Sequence, residues 1–149
     1  MNKFSKLEMA KALATYAHNG QVDKAGIPYI NHPLVVASNF EDEDLKIIAL
    51  LHDVVEDTFV TLETIENLFG LKISEVIKAL TRLDNEDYDE YIKRVATNQM
   101  ALKIKLADLR HNMDLSRIKD VSERDLARIQ KYKNAKAYLE KKLEVEDEK

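Results

Sequence analysis

Cysteine is absent from the 149 residues, which removes disulfides, thiolate metal sites, iron–sulfur clusters and cysteine nucleophiles together. Any metal must therefore sit on His, Asp and Glu. Glycine and proline are scarce, three and two residues, and all but Gly70 fall in the stretch Gly20 to Pro33. That stretch reads as a loop, and the rest of the chain lacks the punctuation of turns or of a disordered segment. No apolar run approaches the ~20 residues of a membrane span, and Met1 to Lys11 lacks the apolar core of a signal peptide. The expected location is the cytoplasm, with no membrane partner. Basic stripes are missing too. The net charge is −4 and the acids cluster at Glu41 to Asp44, Asp84 to Glu90 and Glu144 to Glu148, so long nucleic acid is not an expected partner. A small phosphorylated ligand needs only a local cationic pocket.

What is present is helical periodicity. The length fits one domain over 1–149, since single cores close at about 100 to 200 residues, with an acidic end from about 144 expected to fray. Phe4, Leu7, Ala10, Leu13, Ala14 and Ala17 recur at three- and four-residue steps, an amphipathic helix that Gly20 ends. Pro33 opens a short helix to about Phe40, and Asp42 caps another from Glu43 to about Val55. Thr61 and Ser74 are expected caps of two further helices, the first closed by Gly70, the second turning Val76, Ile77, Leu80 and Leu83 inward. A helix follows over Tyr88 to Ala96. Asn98 caps a longer one that aligns Ala101, Ile104, Ala107, Asp108 and His111, and Ser122 starts a last helix with Leu126, Ile129, Tyr132, Leu139 and Leu143 on one face. No segment alternates like a strand, so the fold class is all-α.

Polar residues interrupt two of these apolar helices. His52 and Asp53 lie between Ile47-Ile48-Ala49-Leu50-Leu51 and Val54-Val55, and Asp108 lies on the line of Ile104 and Ala107. An ionised Asp buried without a partner is very costly. A divalent cation between the two central helices resolves both positions, and His32, fixed between Asn31 and Pro33, supplies a further ligand from the loop. Taken singly, His32 reads as a loop histidine and Asp108 as an ion-pair partner of Lys105 or Arg110. Together His32, His52, Asp53 and Asp108 offer imidazole nitrogens and carboxylate oxygens suited to Mn²⁺, Fe²⁺, Co²⁺, Zn²⁺ or Mg²⁺. Glu56 and Asp57 lie four residues after His52 and Asp53, at a helix C-terminus where the dipole disfavours acids. They are placed to orient or deprotonate an attacking water.

The set His18-x-Gly20-Gln21, Pro28-Tyr29-Ile30-Asn31-His32-Pro33, Leu50-Leu51-His52-Asp53-Val54-Val55-Glu56-Asp57-Thr58 and Lys105-Leu106-Ala107-Asp108 resembles the HD hydrolase domain of RelA/SpoT-type enzymes, in its small single-domain form. The resemblance spans about His18 to Met113. It implies a compact HD-domain helical bundle, one Mn²⁺ on His32, His52, Asp53 and Asp108, and catalytic roles for Glu56 and Asp57. It also implies a small nucleotide substrate, (p)ppGpp, losing its 3′-pyrophosphate, with Asn112 on the nucleotide. A synthetase domain is not expected in a chain of this length.

Departures fall in the substrate pocket. Asp23 stands where relatives pack an arginine on guanine, and Asp108-Leu109-Arg110-His111-Asn112-Met113-Asp114 moves the arginine that usually follows the aspartate by one place, about 100° around a helix. Arg provides a planar fork and a face that Asp lacks. Two other readings therefore stand beside the first: a related phosphohydrolase acting on another nucleotide or phosphate ester, and a non-catalytic nucleotide-binding regulator. A second metal would need more histidines than His18 and His111, which are expected to brace the loop and to support the site or touch substrate. Among Lys24, Arg82, Lys103, Lys105, Arg110 and Arg117, Lys24 is the expected substrate contact because it lies near His32. Oligomeric state is left open.

Overall fold

The computed structural model describes residues 5–116 and 118–147, with side chains as far as Val145. Phe4 and Arg117 lie outside the described residues. Among these, the chain forms α1 (Lys6–Ala17), α2 (Asn31–Ala37), α3 (Glu43–Leu51), α4 (Val54–Asp57), α5 (Leu62–Phe69), α6 (Leu71–Leu80), α7 (Tyr88–Val95), α8 (Gln99–Asn112) and α9 (Glu123–Asp147). The architecture is all-helical. The one extended feature among the described residues is an isolated bridge between Val22 and Pro28 in the first loop. No described helix is long and apolar enough to cross a membrane.

Local chemistry accounts for most boundaries. Ser5 and Glu8 form a reciprocal capping box at α1, and Asp42, Thr61, Asp87 and Asn98 each accept a backbone N–H at the start of α3, α5, α7 and α8. Gly70, at φ 96°, ends α5 and begins α6 at once. Only a residue without Cβ takes that conformation readily, so the expected cap Ser74 is instead inside α6, its hydroxyl donating to the Leu71 carbonyl.

The packing is built around α3 and α8. The helices α1 and α2 lie on α3, α6 contacts both α3 and α8, and α9 runs along α8. Ile47, Ile48, Leu51, Ile104 and Leu109 are buried between them. Burying each such side chain stabilises the fold by roughly 1.5–3 kcal/mol. Two side chains expected inside are exposed, Leu83 at 59% and Leu126 at 55%. Leu83 falls beyond the end of α6, where helical periodicity no longer applies, and Leu126 sits in the first turn of α9, before that helix meets the bundle at Ile129.

The helix expected from Glu43 to Val55 is broken after Leu51. The cause is a side chain. The Ala49 carbonyl, which a continuing helix would give to the Asp53 N–H, accepts from His52 Nδ1 at 2.5 Å, and Asp53 relaxes to φ −106°, ψ −4°. The break turns α4 away from the axis of α3 and leaves His52 and Asp53 in the corner between them.

Candidate metal centre and adjoining pocket

His32 from the start of α2, His52 and Asp53 from the α3–α4 corner, and Asp108 from α8 each point one ligand atom into a common space, and these atoms lie within 4.8 Å of one another. His32 Nε2 is 2.7 Å and His52 Nε2 is 3.3 Å from Asp108 Oδ1, and His52 Nε2 is 3.1 Å from Asp53 Oδ2. His32, His52 and Asp108 are buried. Since the Ala49 carbonyl can only accept, His52 Nδ1 carries a proton and its Nε2 presents a lone pair to the cluster whenever the ring is neutral. On His32 the corresponding contact is a 2.6 Å Nδ1 to Nδ1 hydrogen bond with His111, whose ring stacks on it with centroids 4.9 Å apart.

The electrostatics describe a site that demands positive charge. Burial works against charging His52, but the carboxylates of Asp53 and Asp108 outweigh it and hold the imidazole well above its ordinary pKa. Burial would raise Asp53, yet His52 brings it down to about 2, and Asp108 is held well below its ordinary value by Lys105 and the histidines despite burial. A proton on His52 thus occupies the electrostatic place of a cation. Imidazole nitrogens and carboxylate oxygens converging in a buried corner fit a divalent ion, which these four residues would hold.

Asp108 is set from both sides. Lys105 Nζ donates to Oδ2 at 2.9 Å and Asn112 Nδ2 to Oδ1 at 3.1 Å. The ion pair with Lys105, the simpler expectation for Asp108, is present together with the cluster. Asp53 is set by the Tyr29 hydroxyl, which donates to Oδ2. Tyr29 belongs to the Pro28-Tyr29-Ile30-Asn31-His32-Pro33 segment, and its signal in the sequence is a phenol three residues before His32, close enough in a turn to share the same corner. Lys105 had a clearer signal, a cation one helical turn from a buried acid.

Glu56 and Asp57 lie on α4 beside this corner. Burial raises both carboxyls above their ordinary values, and the Asp53 charge adds to the effect on each. The Arg82 N–H donates to Glu56 Oε2 at 3.5 Å. Gln21 ties the first loop to α4, accepting from His18 Nδ1 at 2.8 Å through Oε1 and donating to the Asp57 carbonyl at 3.0 Å. His18 is therefore the brace of the loop.

A pocket of about 400 Å³ adjoins the cluster, within the ~300–1,000 Å³ usual for small-molecule sites. Tyr29, Asn112, Lys24, Asp23, Arg128 and Tyr132 are among the residues lining it. Lys24 Nζ and an Arg128 nitrogen each donate to Asp125 Oδ1 at 2.8 Å, which pins the first loop to α9. Arg128 was not singled out in the sequence, and Tyr132 only as part of the apolar face of the last helix, because on a long helix with many surface cations nothing local marks the face that meets a pocket. Asp23 has a structural task. Its Oδ1 accepts from Ala25 N at 2.8 Å and Ile27 N at 3.0 Å, an Asx-type turn that shapes the loop.

The sequence pattern that defines the HD domain matches residues 10–147. Over 127 residues the chain is 34% identical to the bifunctional (p)ppGpp synthase/hydrolase SpoT of Escherichia coli K12, covering 75% of this chain and 18% of that one. A guanosine-3′,5′-bis(diphosphate) 3′-pyrophosphohydrolase of Haemophilus influenzae is 35% identical over 116 residues, covering 68% and 17%. The chain thus spans less than a fifth of the length of these relatives. A solved structure described as a metazoan ortholog of SpoT that hydrolyzes ppGpp superposes with a TM-score of 0.77 at 26% identity, covering 93% of this chain and 87% of that one.

Proposed function

Because the chain belongs to the HD-domain family, we propose that it is a metal-dependent phosphohydrolase that removes the 3′-pyrophosphate of (p)ppGpp or a closely similar nucleotide, with Mn²⁺ held by His32, His52, Asp53 and Asp108. The observation that carries this reading is that two residues lining the pocket also hold members of the cluster. Tyr29 and Asn112 line the pocket while holding Asp53 and Asp108. A ligand in the pocket therefore lies against the groups that fix the metal.

Hydrolysis adds water across the bond between the ribose 3′-oxygen and its phosphorus. The water oxygen bonds to phosphorus, the 3′-oxygen departs and takes a proton, and GDP or GTP and pyrophosphate result. A bound divalent ion supplies Lewis-acid polarisation of the phosphoryl group and acidifies water at the site. Glu56 and Asp57 manage the protons, one accepting from the attacking water and the other delivering to the departing oxygen. Their raised pKa values suit such exchange better than the ordinary carboxylate range. Lys24 and Asn112 contact the nucleotide, and Lys24 does so beside Arg128, both held by Asp125.

A second reading is favoured by Asp23, whose carboxylate is engaged in the loop turn and gives a base no cationic face. In that case the same machinery acts on another nucleotide. The deciding experiment offers ppGpp, pppGpp, their adenine counterparts and nucleoside triphosphates at one fixed Mn²⁺ concentration. Intact pyrophosphate released from the 3′ side is the expected result; turnover of another compound alone transfers the assignment to the second reading, and nucleotide binding without turnover to a non-catalytic regulator.

A further inference from the structure

Three cations from different elements surround one edge of the site, Lys131 standing one helical turn beyond Arg128 on α9. Lys105 on α8 reaches Asp108, Arg82 follows α6 beside Glu56, and Lys131 on α9 is exposed to solvent. Arg82 and Lys131 meet over the same ring: the Arg82 guanidinium carbon is 5.5 Å and Lys131 Nζ is 4.2 Å from the Tyr88 centroid. Among the described residues neither is ion-paired. Arg82 donates through Nε and a terminal nitrogen to the Glu86 carbonyl at 3.0 and 2.9 Å, while the Glu86 carboxylate is paired directly with Arg94 and acts on Arg82 only from further off.

Lys105 is paired with Asp108, whereas Arg82 and Lys131 are two like charges at one ring with no carboxylate in ion-pair contact among the described residues, an arrangement that an anion joining them would stabilise. The repulsion registers on Lys131, which partial burial and the charges of Arg82 and Lys105 together push below the ordinary lysine value. On the pocket side the like charges of Lys24 and Arg128 are already balanced by Asp125. Arg82 and Lys131 share no such carboxylate among the described residues, and Arg82 lies at the Glu56 side of the centre.

We propose that Arg82 and Lys131, backed by Lys105, form an anion subsite that holds the terminal phosphate of the pyrophosphoryl group under attack and then the released pyrophosphate. The assignment rests on the phosphohydrolase reading and deepens it. A substrate with anionic groups at two separated positions would span the centre, one end at Lys24 and Arg128 and the other at Arg82 and Lys131. The Tyr88 ring supports both cations from beneath, so their positions are set before the anion arrives.

The test uses Lys131→Met, since Lys131 is exposed and touches neither the metal cluster nor the core, with Lys131→Arg as the charge-conserving control. Inorganic pyrophosphate is titrated into the metal-free protein by calorimetry, and its inhibition constant is measured in the Mn²⁺-loaded enzyme at fixed free metal. Pyrophosphate binding should weaken about tenfold in Lys131→Met, at the lower end of a charge-assisted hydrogen bond, and return in Lys131→Arg. The Michaelis constant for ppGpp should rise by a similar factor while that for a nucleoside 3′-monophosphate ester, which lacks the terminal phosphate, stays unchanged. If the wild type does not bind pyrophosphate, or if Lys131→Met binds it as the wild type does, the subsite is wrong. If pyrophosphate binding depends on Lys131 while ppGpp is not turned over, the subsite stands and the substrate assignment fails.

Discussion

Replacing Lys105 by methionine isolates the charge balance of the metal-free centre. Asp108 is buried and fully engaged: His32, His52 and Asn112 approach Oδ1 at 2.7, 3.3 and 3.1 Å, and Lys105 holds Oδ2 at 2.9 Å. Methionine fills the volume of the lysine stem but leaves Oδ2 without its cation. Removing one partner of a buried pair destabilises by about 3–5 kcal/mol, because the remaining charge stays uncompensated. For a domain of this size each kcal/mol lowers Tm by roughly 2–4 °C, so the metal-free variant should melt about 6–20 °C below the wild type. Saturating Mn²⁺ should narrow that gap, because the ion supplies the missing positive charge. Lys105→Met with Asp108→Asn should recover part of the loss, because the amide carries no charge to strand.

The pH dependence follows from the same pair. Burial opposes ionisation of both groups, yet each holds the other charged: Asp108 lies well below its ordinary 3.8 and Lys105 well above 10.5. A depressed carboxyl contributes stability that is present above its unfolded value and is lost as pH falls through the folded one. A raised ammonium contributes below its unfolded value and is lost as pH rises through the folded one. The difference in Tm between wild type and Lys105→Met should therefore be flat from about pH 5 to 9 and narrow outside that window. Differential scanning calorimetry across this range checks it. A metal-free variant within about 2 °C of the wild type would refute the view that this ion pair sustains the apo centre.

Glu56→Gln and Asp57→Asn should bind Mn²⁺ as the wild type does and lose roughly 10²- to 10⁴-fold in kcat; comparable turnover in both at saturating metal removes the acids from proton transfer. Tyr29→Phe keeps the ring in the pocket and deletes the hydroxyl that holds Asp53. Its Mn²⁺ affinity, read by electron paramagnetic resonance, should fall about 10- to 100-fold, and an unchanged affinity would show that Asp53 orients itself. Metal uptake should weaken as pH falls, because His52 is held protonated by Asp53 and Asp108 and must lose that proton to bind an ion. Calorimetry in buffers of different ionisation enthalpy should record proton release on loading, and none at neutral pH would contradict it.

The helices were legible where their signals are local. Caps at Asp42, Thr61 and Asn98 and the glycine at 70 act within a few residues, so their effect can be read from the chain directly. The break after Leu51 was not legible, because it depends on which way the His52 ring turns. Apolar periodicity continues straight through His52-Asp53 to Val54, which is itself buried, so the pattern of a single helix survives although the backbone bends. Ser74 misled for a related reason: a serine inside a helix can bond the carbonyl behind it, here Leu71, and composition does not distinguish this from a cap.

The centre was legible through a conflict of burial with charge. An aspartate among aliphatic residues is informative wherever it falls, and two such positions on separate helices point to each other, as the convergence of Asp53 and Asp108 bears out. The pocket had no equivalent conflict. Lys24, Arg128 and Asp125 are ordinary residues for a loop and a helix surface, and only the approach of the first loop to α9 brings a lysine and an arginine from opposite ends of the chain onto one carboxylate. Asp23 illustrates the limit most clearly. Beside the family pattern it stands out as a missing arginine, whereas in the fold it accepts from the N–H groups of Ala25 and Ile27 and shapes the loop that delivers Lys24. A change at Asp23 therefore acts first on loop shape. Restoring an arginine there removes the turn that positions its neighbour, so specificity in this pocket has to be altered together with the geometry of the loop.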